Sequence, residues 1–248
     1  MTAALPPPRP VQLWWARLAD ARPDLVGLLD PVERGRYEAT ADPGNRRRFL
    51  AGCAVSRVVL GELLEMRPED VPLRRVCARC GGPHGKVTLG VPAASVHADV
   101  RFSVSHSGDV IGLAVTRGAD VGLDVEDGGG TDVEKVAPRV LADAELTALR
   151  ARPEDERPAA FLRYWTRKES VLKAIGVGLR VPLRGLQVSD PALPPAVLSW
   201  PEEMDSRHEV RMADTVVDTT HPASVSVTGT TRVTLERHDT SAMLQAWK

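Results

Sequence analysis

Phe161-Leu162-Arg163-Tyr164-Trp165-Thr166-Arg167-Lys168-Glu169-Ser170-Val171-Leu172-Lys173-Ala174-Ile175 reads as one helix. It is rich in helix formers, contains no Pro or Gly, and is followed by Gly176 as a stop. Phe161, Trp165, Leu172 and Ile175 recur at helical spacing and mark an inward face. Glu169 falls within that stripe, with Lys173 one turn further on. A carboxylate on a buried stripe is costly unless a cation meets it. Here the cation is either Lys173 or a metal.

A second stretch, Val121-Gly122-Leu123-Asp124-Val125-Glu126, alternates as a strand does. Val121, Leu123 and Val125 share one face; Gly122, Asp124 and Glu126 share the other, with Gly122 leaving space beside the acids. The two acids are then roughly 6–7 Å apart along one edge. Two strand carboxylates and one helical carboxylate make an all-oxygen set of the kind that suits Mg²⁺.

Composition narrows the classes. The 248 residues suffice for one large domain or two small ones, and the hydrophobic fraction of 43% is that of a folded protein. A net charge of −1 argues against nucleic acid or an anionic membrane as partner, and no apolar run of spanning length is present. Cys53, Cys77 and Cys80 form no disulfide framework, so a reducing cytoplasm is expected. Only five of the 32 basic residues are lysines, and Lys86, Lys168 and Lys173 fall in the stretches of interest. Lysine is a compact charge suited to phosphate oxygens.

Taken in order, Val11 to Trp15 is a predicted strand, and a helix follows Asp30 and Pro31. Asp42 to Asn45 reads as a turn and Arg46 to about Leu64 as a helix. The Arg46-Arg47-Arg48 opening is either a solvated face or an anion cradle. Cys77 to Lys86 is a Gly/Pro-punctuated loop whose CxxC lacks the second ligand pair of a structural zinc site. Arg101 to Asp109 is a strand closing in a turn, where His106 is either a turn residue or a ligand contact. Arg117 to Asp120 is the expected boundary between halves 1–118 and 119–248. Helices are expected at about 133–140 and 142–151, and Pro153 and Pro158 bracket a loop before the central helix. Short strands follow at 186–188, 197–200, 208–212, 223–227 and 232–236, while 240–248 gives no signal.

Together, PHGK at 83–86, FSVSHS at 102–107, GLDVE at 122–126, WTRKESVLKAIGVGL at 165–179 and RRRFLAG at 46–52 resemble the 4′-phosphopantetheinyl transferases of the surfactin-synthetase-activating type. The resemblance implies an α+β fold: two similar α/β halves in a pseudo-twofold monomer, with coenzyme A in the cleft between them. It implies Mg²⁺-dependent transfer of phosphopantetheine from coenzyme A to a serine of an apo carrier domain, releasing adenosine 3′,5′-bisphosphate; Mn²⁺ is an alternative ion. The carrier would serve fatty-acid, polyketide or nonribosomal-peptide synthesis.

By the same resemblance Asp124, Glu126 and Glu169 are the metal ligands. Lys173, Lys86, Ser105 and His106 meet the coenzyme A phosphates, and Lys168 falls on the other basic position of the helix motif. Arg48 and Arg36 hold the 3′-phosphate. Glu169, Lys173 and His106 are the catalytic set, with Glu169 as proton acceptor. The chain departs from the family at Val87, Ser103 and Glu33; the last stands where a lysine is usual, leaving its role to Arg34 or Arg36. A metal-dependent phosphoesterase and a binding module without turnover are the alternatives.

Overall fold

The computed structural model describes residues 9–76, 81–82, 85–130, 132–178, 181–202, 204, 209–229 and 232–247. The CxxC, the Pro83-His84 part of the PHGK loop and His208 lie outside them.

Strand β1 (Arg9–Arg17) leads to helices α1 (Pro31–Ala39) and α2 (Pro43–Leu64). Strands β2 (Leu73–Arg75) and β3 (Val87–Leu89) pair with each other, ahead of the hairpin β4 (Val100–Ser107) and β5 (Val110–Arg117). Then come β6 (Val121–Val125) and helices α3 (Val133–Val140), α4 (Asp143–Arg150) and α5 (Arg157–Ile175). The hairpins β7 (Gln187–Val188) with β8 (Val197–Ser199), and β9 (Val210–Val217) with β10 (His221–Thr228), follow. Strand β11 (Val233–Asp239) and helix α6 (Ser241–Ala246) end the described chain.

Local chemistry sets the helix ends and corrects two expectations. Asp42 is no turn residue: its carboxylate accepts the Asn45 N–H at 2.7 Å and caps α2, which starts at Pro43. Likewise α5 starts at Arg157, with Pro158 in its first turn, where a missing N–H costs nothing. At its far end Gly176 takes the left-handed conformation (φ 75°) that stops the helix. In α1, Asp30 and Glu33 form a reciprocal capping box.

The architecture is α+β, with one motif used twice. A strand, a long helix and a hairpin (β1, α2, β4–β5) give the antiparallel order β1-β5-β4; the same sequence of elements (β6, α5, β9–β10) gives β6-β10-β9. Strand β11 returns to lie parallel to β1 at the edge of the first sheet. Apolar residues of the two sheets meet in a shared layer that includes Val11, Leu13, Ala114, Leu123 and Val225. The first sheet buries its other face with α2, and α5 packs on β6 and β10. On its remaining side α5 packs with α3 and α4. Among the described residues no helix is long and apolar enough to cross a membrane.

Helix α5 is therefore buried on nearly all sides, and the amphipathic stripe expected for it is incomplete. Phe161 and Leu172 are buried, but Trp165, Glu169 and Lys173 form a half-buried line along one edge. Gly122 does not leave open space beside the acids. A Cβ there would fall 1.9 Å from Ser170 O and 2.4 Å from Ala174 N, so the helix backbone rests on the strand at that point. Thr166 and Ser170 extend the close contact by hydrogen-bonding Ser224 and Ser226 of β10 at 3.1 and 2.8 Å.

Candidate active site

The contact at Gly122 presses α5 against β6 and brings Lys173 to Asp124. Lys173 Nζ donates to Asp124 Oδ1 at 2.7 Å and to Ser105 Oγ at 3.0 Å. The Ser105 hydroxyl donates to Asp124 Oδ1 at 3.1 Å and accepts the Val125 N–H at 3.3 Å. Its donor and both lone pairs are thus engaged, and the side chain is buried. Glu126 accepts from Ser107 Oγ at 2.9 Å, with the Trp165 indole beside it.

Three carboxylates here face one ammonium group. Burial, then the neighbouring charge of Asp124, pushes Glu169 up to about 7, with Lys173 only partly offsetting them. Glu126 is raised by the same two causes, and Asp124 is raised by burial against the opposing pull of Lys173. Asp124 Oδ2 and Glu169 Oε1 are buried without a hydrogen-bond partner. Among the described residues no three His, Cys, Asp or Glu side chains are drawn into metal-ligand geometry. The chemistry of the set nevertheless suits a divalent cation: all-oxygen donors, two orphaned oxygens and a deficit of positive charge.

The basic residues expected at the cofactor divide into two groups. His106 is exposed on β4, and its imidazole is held below the ordinary range by desolvation, then by the charges of Lys173 and Arg48. Arg48 donates to Gly108 O at 3.0 Å, and the Arg36 guanidinium lies 5.2 Å over the Phe49 ring with Nη1 buried and unpartnered. Lys86 reaches into the join between the halves, donating to Val121 O (3.1 Å) and Ala174 O (3.2 Å). Beside it a cavity of about 410 Å³ is lined by Val87, Leu89, Phe102 and Ile175.

Lys168 does not join them. Its side chain is fully buried on the far side of α5, 2.5 Å from Glu145 Oε2, and donates to Val140 O and Leu183 O. The helix carries it away from the cleft, so it cannot contact a cofactor there. Lys168→Met is expected to cost about 3–5 kcal/mol of stability by stranding Glu145, and any ligand affinity at the Asp124–Lys173 cluster should be unchanged in the folded fraction. Denaturant unfolding and calorimetry check the two halves of that statement. Glu33 is likewise structural: it accepts from Arg57 Nε at 2.7 Å inside the first half, while Arg34 donates to Val26 O.

Reasoning from sequence missed two neighbours of Glu126, Ser107 and the Trp165 indole. The signal for the first was present in the alternation of serines 103, 105 and 107.

Two like strand–helix–hairpin units therefore meet beside a cluster of three carboxylates and Lys173. The 4′-phosphopantetheinyl transferase superfamily model matches residues 120–226. 4′-phosphopantetheinyl transferase HetI of Nostoc is 34% identical over 157 residues, 63% of each chain. 4′-phosphopantetheinyl transferase AcpT of Salmonella typhimurium is 36% identical over 158 residues, 61% of this chain and 73% of its own. A solved holo-(acyl-carrier-protein) synthase from Bacillus anthracis, in complex with CoA (3′,5′-ADP), aligns with 45% of this chain and 96% of its own (18% identity, TM-score 0.35). The chain belongs to the 4′-phosphopantetheinyl transferase superfamily, a family of transferases, and spans 63% of the length of HetI.

Proposed function

We propose that this chain moves the phosphopantetheine arm of coenzyme A onto a serine of an apo acyl or peptidyl carrier domain, as a monomeric cytoplasmic enzyme of the surfactin-synthetase-activating type. The observation that carries this reading is the Lys173–Asp124–Ser105 knot beside two under-neutralised carboxylates. It lies where the β1-β5-β4 and β6-β10-β9 units meet. A divalent ion, Mg²⁺ or Mn²⁺, held by Asp124, Glu126 and Glu169 would draw charge from the diphosphate oxygens.

The side chains supply the rest. Lys173 spends two N–H groups on Asp124 and Ser105, and its third is available to a phosphate oxygen. His106 flanks the same place, Lys86 meets the phosphates from the neighbouring cavity, and Arg36 and Arg48 hold the 3′-phosphate at the first half. Glu169 accepts the proton of the carrier serine. The serine oxygen bonds to the phosphorus bearing pantetheine, and the bond from that phosphorus to the adenosine 3′,5′-bisphosphate oxygen breaks. Most of the acceleration comes from alignment and charge neutralisation.

Incubation with coenzyme A, Mg²⁺ and a panel of apo carriers from fatty-acid, polyketide and nonribosomal-peptide synthases tests this. Mass spectrometry should show one phosphopantetheine gained on a carrier serine, abolished by a chelator. Carriers unmodified throughout, or coenzyme A hydrolysed without any carrier, would defeat the reading.

A further inference from the structure

Strands β4 and β6 belong to different sheets, yet they run side by side at the cleft. Serine side chains join them. The hydroxyl oxygens of Ser103, Ser105 and Ser107 accept the backbone N–H groups of Leu123 (3.0 Å), Val125 (3.3 Å) and Asp127 (3.0 Å). A hydroxyl fixed in this way keeps its own hydrogen free for one acceptor. For Ser105 that acceptor is Asp124; for Ser107 it is Glu126 Oε2 at 2.9 Å.

Glu126 needs such a hold more than Asp124 does. It lies just past the end of β6, is half-buried, and has one more side-chain torsion than Asp124, which is buried and bound to Lys173. Repulsion from Asp124 also favours a Glu126 carboxylate turned outward. The Ser107 hydroxyl holds it against that tendency.

We propose that Ser107 is a positioning residue for the cation site, aiming the Glu126 carboxylate toward Asp124 and Glu169. The inference rests on the reading of those three acids as ligands of a divalent ion. Outer hydrogen bonds to ligating carboxylates fix the orientation from which affinity arises.

Titration of the metal-free protein with Mn²⁺, followed by the spectrum of the free ion in electron paramagnetic resonance, tests it without reference to turnover. Ser107→Ala should weaken Mn²⁺ binding about tenfold. Ser107→Thr, which keeps the hydroxyl, should stay within about twofold of the parent. Ser103→Ala removes a seam bond of the same kind and should leave Mn²⁺ affinity unchanged. If Ser107→Ala proves unfolded by its melting curve, Ser107→Val set against Ser107→Thr carries the same comparison, since the two differ only in the hydroxyl and both favour a strand. Parent-like binding by Ser107→Ala, or an equal loss in Ser103→Ala, overturns the role of Ser107 alone. Absence of Mn²⁺ binding in the parent overturns the cation site as well.

Discussion

Glu169→Gln is expected to lower phosphopantetheine transfer about a thousandfold while making the metal-free protein more stable above pH 7. The first effect follows from the proposed function, in which Glu169 is both a cation ligand and the proton acceptor. The second follows from linkage. The folded-state value of about 7 exceeds the ordinary 4.5, so the folded protein holds the proton more tightly than the unfolded chain. That stabilisation is complete below pH 4.5 and is lost as pH rises through 7. Because Glu169 remains partly open to solvent, the loss is discounted to about 1–2 kcal/mol. The amide has no such loss, so its melting temperature at pH 8 should exceed that of the chelator-treated parent by about 3–6 °C. Parallel pH profiles, or a variant that still modifies carriers, would remove Glu169 from the cluster.

Gly122→Ala should be the most damaging small substitution in the chain. The added methyl meets backbone atoms at 1.9 and 2.4 Å, which cannot rotate aside as a side chain would. Either the helix lifts or the strand bends, at a cost above about 4 kcal/mol and a fall in melting temperature of about 10 °C or more. A lifted helix also carries Glu169 and Lys173 away from Asp124, so transfer should fall about a hundredfold even in the folded fraction. Calorimetric melting and carrier modification at low temperature separate these effects. A variant that melts within a degree or two of the parent would mean that the packing at Gly122 is looser than described.

Much of the site was legible because its signals are local. Alternation put Asp124 and Glu126 on one face of β6, and helical spacing put Lys173 one turn from Glu169; each relation needs only one element. What stayed hidden depends on neighbours from elsewhere in the chain. Lys168 looked like a cofactor contact, but its direction is fixed by Glu145 and the carbonyls of Val140 and Leu183. In a helix buried on almost every side, the periodic pattern no longer separates cleft from core. Gly122 read as open space because the backbone that fills it comes from α5. The strand pair β2–β3 and the closing helix α6 were not foreseen, since such short segments carry too few residues for a periodic signal. The likeness of the two halves was implied by the family resemblance alone; the strand, helix and hairpin that repeat are visible in the topology.

The convergence of Asp124, Glu126 and Glu169 on one cation is tested most directly by a crystal of the protein grown with coenzyme A and Mn²⁺. An anomalous peak bounded by the three carboxylates and the coenzyme A diphosphate, with Lys173 on a phosphate oxygen, is the expected result. Coenzyme A bound with its diphosphate away from Asp124, or Mn²⁺ bound at some other place, would contradict it.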